Sequence, residues 1–60
     1  MQYNDKDILA IIREYCKETK LYNKAHKKGL GAEATEEILI KLIKNGELEI
    51  VEDKGKYFII

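Results

Sequence analysis

Apolar residues recur at helical spacing in two stretches of the chain and at strand spacing in a third. The first stretch begins at Ile8, from which apolar side chains follow at intervals of three and four residues, the pattern of an amphipathic helix. Asn4 lies just before it, and an asparagine side chain accepts hydrogen bonds from the free amides of a first helical turn. The pattern therefore predicts a first helix from about Asp5 to Lys17 or Lys20.

The second helical stretch carries the longer apolar stripe. Its residues recur at the i, i+3, i+4, i+7 and i+8 positions, while Ile40 lies beside the stripe and widens the face that can be buried. Asn45 and Gly46 form a stop signal. We predict a helix from about residue 33 to residue 45, with Thr35 as the cap of a shorter version. The stripe consists of Ala34, Thr35, Ile38, Leu39, Leu42 and Ile43.

The segment between these stretches holds a shorter pattern. Residues 19–22 (Thr-Lys-Leu-Tyr) are partly β-prone and favour a short extended piece that can add a third strand. Asn23 is a good capping residue, so residues 24–28 are expected to form a short second helix. Gly29 stands where helices often end in a left-handed residue, and Leu30 is expected to fill the core at the turn.

The last part of the chain changes to a period of two, which is typical of strands. Leu48 and Ile50 alternate with glutamates, and the chain turns at residues 52–55 (Glu-Asp-Lys-Gly) before the apolar run 57–60. The aspartate suits a type I turn and Gly55 suits a left-handed position, so the pattern predicts a C-terminal β-hairpin. Because two strands alone are marginal in water, the hairpin must pack on the helices.

The order of these elements predicts the fold class. A helix, a short strand, a short helix, a longer helix and a hairpin make the α+β order of a winged helix-turn-helix domain. The hairpin is then the wing, and the helix over residues 33–45 takes the place of the recognition helix. A length of 60 residues is enough for one domain only, so residues 1–60 are interpreted as a single winged-helix domain.

The charge balance, the lack of a long apolar run and the single cysteine exclude several classes of function. The 11 basic side chains balance 11 acidic ones, which excludes the basic excess of a histone-like binder and confines any nucleic-acid contact to local clusters. No apolar run approaches the roughly 20 residues of a membrane span, and the single cysteine, Cys16, has no partner for a disulfide within the chain. We therefore expect a cytoplasmic protein that does not bind membranes.

Catalysis is not expected from this sequence. Cys16 and His26 supply two donors of the kind that zinc favours, whereas a metal site needs three or four converging ligands. There is no Gly-rich phosphate loop and no Ser/His/Asp set. We predict no catalytic residue, no metal site, no cofactor and no small-molecule substrate, with His26 as a surface residue and Cys16 as a small core residue.

Two lysine clusters are the candidates for DNA contact, one on or beside the short second helix and one at the hairpin turn. Such side chains give non-specific phosphate contacts with a salt-dependent affinity, and the alternative is a solvated lysine-rich surface. The start of the third helix instead carries Glu33, Glu36 and Glu37, which repel phosphate and disfavour base-specific reading. The predicted DNA-binding residues are Lys24, His26, Lys27, Lys28, Lys41, Lys54 and Lys56.

Aromatic side chains offer a further candidate contact. Tyr22 and Tyr57 have rings of the kind that stack on unpaired bases, although packing in the core or on the sheet is the favoured interpretation for both. Strand alternation must leave either Tyr57 and Ile59 or Phe58 and Ile60 partly exposed. The result is an apolar face on the wing, which a partner protein can cover.

Residues 36–49 (EEILIKLIKNGELE) and residues 55–58 (GKYF) resemble the C-terminal winged-helix domain of archaeal minichromosome maintenance helicases. In that family a stretch of the form EEIL-KL---GEI leads into a wing that ends in a Gly-x-Tyr pattern near the chain terminus, and the similarity runs from Ala25 to the end. The turn at residues 52–55 lacks the proline common in those wings, and the 60 residues contain no ATPase domain. The resemblance implies an accessory role in DNA replication, with a larger ATPase as partner.

Three functional hypotheses follow. The first is a non-catalytic winged-helix module, similar to the accessory domain of a replicative helicase, that makes weak non-specific DNA contacts or contacts with neighbouring domains. The second is a winged-helix protein-interaction module that does not bind DNA, which the acidic third helix and zero net charge permit. The third is a small stand-alone DNA-binding transcription regulator.

Overall fold

The computed structural model describes residues 3–60 of the chain, and Met1 and Gln2 of the predicted 1–60 domain lie outside the described residues. The elements in chain order are α1 (Asp5–Thr19), α2 (Leu21–Lys27), α3 (Ala32–Lys44), β1 (Ile50–Asp53) and β2 (Lys56–Ile59). The fold class is therefore confirmed as α+β, with three helices followed by a C-terminal hairpin in the arrangement of a winged helix. None of the helices in residues 3–60 has the length and apolar character needed to cross a bilayer.

Helix α1 begins where the sequence predicts. The Asn4 side chain accepts a hydrogen bond from the Asp7 amide at 2.8 Å, which satisfies one of the free donors of the first turn. Asp5 and Asp7 place negative charge at the positive end of the helix dipole. The helix ends at Thr19 because Lys20 adopts a left-handed conformation, with φ of 57°.

The second helix corrects the sequence-based prediction. Residues 21–27 are helical, so the extended piece over residues 19–22 is wrong, and the sheet of the described residues has two strands rather than three. The cap position before α2 is Lys20 and not Asn23, which lies inside the helix. The reason is packing: Leu21 and Tyr22 contact the core cluster, and a helical turn directs both toward α1 together with buried Ala25. Gly29 has φ of 85°, which confirms the predicted left-handed end.

Helix α3 buries a face that is rotated slightly from the predicted stripe. Leu39, Ile40 and Ile43 pack against the core, whereas Ile38 is 45 % exposed. Gly31 holds the cap position without a side-chain bond, so Thr35 is not the cap. The buried Thr35 hydroxyl instead donates to the Gly31 carbonyl at 2.9 Å.

The hairpin forms as predicted but with a different turn. β1 and β2 pair antiparallel, with Val51 opposite Phe58 and Asp53 opposite Lys56. Lys54 and Gly55 alone connect the strands, and both have positive φ, 52° and 80°. Two successive positive φ values are those of a type I′ turn, whose twist matches that of the strands, so the predicted type I turn is wrong.

The core lies along α1, which packs against α2, α3 and β2. Ile12 and Cys16 are completely buried and form the centre of the cluster with Ile8. Leu30 is 37 % exposed, so the prediction that it fills the core is wrong. The partly buried side chains around the centre are Tyr3, Leu21, Tyr22, Leu39, Ile40, Ile43, Ile50 and Ile59.

Candidate nucleic-acid interface

The basic residues of α2 and the adjoining Lys28 are all exposed, but they do not share one face. Lys24 and Lys28 are four positions apart and lie side by side on the face toward α3. Lys27 lies further round the helix, away from the core, and His26 lies further still, because each residue advances about 100°. The structure therefore brings Lys24 and Lys28 together and separates them from His26.

The remaining predicted residues lie on α3 and on the wing. Lys41 is exposed on α3. Lys54 occupies the first of the two turn positions and Lys56 begins β2, so both ammonium groups are at the tip of the hairpin. α2 and β2 pack on the same helix, α1, so one rigid element positions both lysine clusters.

The three carboxylates at the start of α3 differ in their surroundings. Glu33 and Glu37 are exposed. Glu36 points inward, and its side chain is 13 % exposed. A single oxygen, Oε2, accepts from the Tyr22 hydroxyl at 2.5 Å and from Arg13 Nε at 3.3 Å. One of the three negative charges is therefore neutralised inside the molecule.

The contacts of Glu36 join all three helices, since Arg13 is on α1, Tyr22 on α2 and Glu36 on α3. The hydrogen bond from Tyr22 lowers the pKa of Glu36, and Arg13 lowers it further. Partial burial acts in the opposite direction but is outweighed. Burial and the bond to Glu36 raise the pKa of Tyr22 to about 12. We call these three residues the Glu36 triad. The sequence carries no local signal for this triad, because glutamates in a first helical turn ordinarily complement the dipole and face water.

Both tyrosines proposed for base stacking are engaged within the protein. The Tyr22 ring packs on the core cluster, and its hydroxyl donates a hydrogen bond to Glu36. The Tyr57 ring meets Tyr3 edge to face, with centroids 6.4 Å apart and planes at 83°. The charge of nearby Glu52, ahead of partial burial, raises the pKa of Tyr57. Packing, the favoured interpretation, is confirmed for both.

The other side chains singled out for chemistry fall into two environments. Cys16 is completely buried, and burial, with a smaller contribution from Glu36, raises the pKa of its thiol. A raised pKa and full burial make it a core residue and not a nucleophile. His26 is exposed on α2. Residues 3–60 hold no group of three or more His, Cys, Asp or Glu side chains suited to a metal ion.

Residues 3–60 expose two apolar surfaces, the outer face of the hairpin and a groove between two helices. The outer face of the hairpin exposes Val51, Phe58 and Ile60, at 38 %, 42 % and 72 %, while Tyr57 and Ile59 face the helices. The second surface is a groove of about 270 Å³ between α2 and α3, which we call the α2–α3 groove. Its apolar lining consists of Leu21, Ala25, Leu30, Ile38 and Leu39, and Lys24 and Lys28 also line it.

A signal for the groove was present in the sequence. Ile38, Leu39 and Ile40 are consecutive, and three consecutive helical residues span about 200° of the helix circumference. One of the three must therefore leave the buried face. The packing against α1 selects Leu39 and Ile40, which leaves Ile38 at the surface.

Comparison with known proteins assigns no family: the chain matches no protein-family model, and no curated protein or solved structure is significantly similar to it.

Proposed function

We propose that this chain is a non-catalytic winged-helix module that makes weak, non-specific contacts with the DNA backbone. The observation that carries the proposal is the set of exposed ammonium groups on α2 and at the wing tip. Within residues 3–60, the ion pairs are Arg13 with Glu36 and Lys44 with Asp5, so none of the candidate lysines forms an ion pair there. The lysines concerned are Lys24, Lys27, Lys28, Lys54 and Lys56.

The charge distribution supports contact with DNA despite the zero net charge. Residues 19–32 contain four lysines and no acidic residue, so the positive charge is local. The inward position of Glu36 removes one of the three carboxylates that would repel phosphate from α3. Exposed Glu33 and Glu37 remain, and for this reason the proposal is limited to phosphate contacts without base reading.

The partner protein in this proposal is a larger ATPase. Its support is the resemblance of residues 36–49 and 55–58 to the accessory domain of minichromosome maintenance helicases. In such an arrangement the module would hold DNA weakly near the motor, and the motor would perform the catalysis. A weak and salt-sensitive contact suits that role because the DNA must move past it.

The test is titration of a short duplex into isotopically labelled protein at several salt concentrations. Each phosphate contact contributes about −0.9 to the slope of log K against log salt, so five lysines give at most about −4.5. We expect amide shifts confined to residues 24–28 and residues 54–56. The double variant K27E/K28E should weaken binding without unfolding the domain and reduce the slope by about 1.8.

The matched control is K6E/K17E, which changes the net charge by the same amount at two exposed lysines of α1. If the proposal is correct, this control retains most of the affinity. Equal losses in the two double variants would mean that net charge alone governs the interaction. If no amide of either lysine cluster shifts during the titration, the proposed DNA contact is wrong.

A second candidate function, a protein-interaction module, is favoured by one specific observation. The exposed side chains Val51, Phe58 and Ile60 form a continuous apolar strip on the outer face of the hairpin, which phosphate contacts would leave uncovered. Apolar surface of this kind often marks protein contacts. In the same titration, absence of DNA-induced shifts would favour this candidate.

A further inference from the structure

We propose that the α2–α3 groove binds an acidic peptide segment anchored by a bulky apolar side chain. This inference goes beyond backbone contact with DNA, because it assigns a second kind of partner to a groove that shares only Lys24 and Lys28 with the proposed DNA contact. Three properties of the groove carry it: the exposure of its apolar lining, its size and its charge.

The lining exposes apolar area that no part of residues 3–60 covers. Leu30 is 37 % exposed and Ile38 is 45 % exposed, and both line the groove together with Leu21, Ala25 and Leu39. Removing such area from water is favourable. A partner that inserts an aliphatic or aromatic side chain between Leu30 and Ile38 gains that energy.

The size of the groove favours a side chain over a small molecule. Its volume is about 270 Å³, slightly below the roughly 300 to 1,000 Å³ of small-molecule sites. The groove is also open to solvent. Space of this size accepts one or two apolar side chains of a peptide that continues across the surface.

The charge of the groove selects an acidic peptide. Lys24 and Lys28 line it, no acidic residue does, and neither lysine forms an ion pair within the described part of the chain. Lys24 and Lys28 are four positions apart and line the same groove, so two carboxylates flanking the anchor can meet both ammonium groups. DNA complements these charges too, but its backbone has no apolar group to fill the space beside Leu30 and Ile38.

The experiment uses a fluorescein-labelled peptide with a central Phe and Leu flanked by Asp and Glu. A second peptide replaces every acidic residue with Lys, and a third replaces Phe and Leu with Ser. Binding is measured by fluorescence polarisation, and the site is located from amide shifts of the labelled protein. We expect weak binding, with Kd of about 10⁻⁵ to 10⁻³ M, and shifts centred on Leu30 and Ile38.

The variants separate this inference from the DNA proposal. I38S should weaken peptide binding about fivefold and leave DNA binding unchanged, and the control I60S removes an equally large exposed side chain from another face. K24E/K28E tests the charge of the groove independently and should abolish selection of the acidic peptide. K27E/K56E, which changes lysines outside the groove lining, should weaken DNA binding and retain the peptide.

Several outcomes would overturn the inference. Equal binding of the acidic and lysine peptides, or equal effects of I38S and I60S, would contradict charge selection or the anchor site. Shifts at Leu30 and Ile38 produced by duplex DNA would make the groove part of the nucleic-acid interface. Concentration-dependent shifts at these two residues without peptide would identify a second copy of the chain as the occupant.

Discussion

Replacing Tyr22 with phenylalanine isolates the contribution of the Glu36 triad to stability. The ring and its packing on the core remain, and the hydrogen bond to Glu36 Oε2 is lost. A hydrogen bond to a charged group contributes about 1.5 to 3 kcal/mol, and the 13 % exposure of the Glu36 side chain limits replacement of the bond by water. A domain of 60 residues has a total stability of roughly 3 to 9 kcal/mol, so Y22F should remove a large fraction of it.

Thermal unfolding followed by circular dichroism measures this loss. For a domain of this size, each kcal/mol corresponds to about 4 to 8 °C in Tm, so Y22F should lower Tm by roughly 10 to 20 °C. The control is Y15F, which removes the hydroxyl of a partly exposed tyrosine on α1 that makes no side-chain hydrogen bond within residues 3–60. Y15F should change Tm by only a degree or two.

The pH dependence gives a second signature of the same bond. The pKa of Glu36 is lowered in the folded chain. The stability that the ionised carboxylate contributes is therefore complete above the pKa of an unfolded chain, about 4.3, and is lost as pH falls through the folded pKa. The pKa of Tyr22 is raised to about 12, so its contribution is complete below about pH 10 and is lost as pH rises toward 12. The difference in free energy of unfolding between wild type and Y22F should be constant from about pH 6 to 9 and should decrease at both extremes.

A Y22F variant whose free energy of unfolding is within about 0.5 kcal/mol of the wild-type value would show that the Tyr22–Glu36 hydrogen bond contributes little to stability. A Tm change equal to that of Y15F would show the same. A stability difference that stays constant up to pH 12 would be equally damaging. It would mean that the Tyr22 hydroxyl ionises as readily in the folded chain as in the unfolded chain.

Two further predictions concern the non-glycine residues with positive φ, Lys20 at 57° and Lys54 at 52°. K20G should raise the free energy of unfolding by about 0.5 kcal/mol, measured by chemical denaturation. The reason is that relief of roughly 1 to 2 kcal/mol of left-handed strain exceeds the entropy cost of glycine, about 0.5 to 1 kcal/mol. A loss of stability would show that the Lys20 side chain stabilises the fold by more than the strain destabilises it. K54N should also stabilise by about 0.5 kcal/mol, because asparagine suits a type I′ turn, and should reduce the salt slope of DNA binding by about 0.9; an unchanged slope would remove Lys54 from the interface.

Local patterns predicted the elements whose ends depend on local chemistry. α1 starts at the Asn4 cap, α3 gives way to the turn at Asn45 and Gly46, and the hairpin turns at Gly55. Each of these signals acts through a backbone preference or a hydrogen bond within a few residues. They are therefore readable without knowledge of the tertiary structure.

The features that the sequence did not predict depend on contacts between elements. The break at Lys20 carries no glycine, proline or cap signal, and it exists because Leu21 and Tyr22 reach the core only after a change of chain direction. The inward rotation of Glu36 depends on partners 14 and 23 positions away in sequence. No local pattern encodes such pairings.

The two proposed partners make different demands on the same lysines. Lys24 and Lys28 line the groove, so a bound acidic peptide and a DNA backbone would compete for them. Lys27, Lys54 and Lys56 lie outside the groove lining and stay available to DNA. A peptide bound in the groove should therefore remove at most two of the five phosphate contacts and weaken DNA binding without abolishing it. The slope of log K against log salt should then decrease in magnitude by about 1.8. By reciprocity, saturating DNA should raise the peptide Kd by the same factor, so one competition titration measured from both sides tests whether the two sites share these lysines.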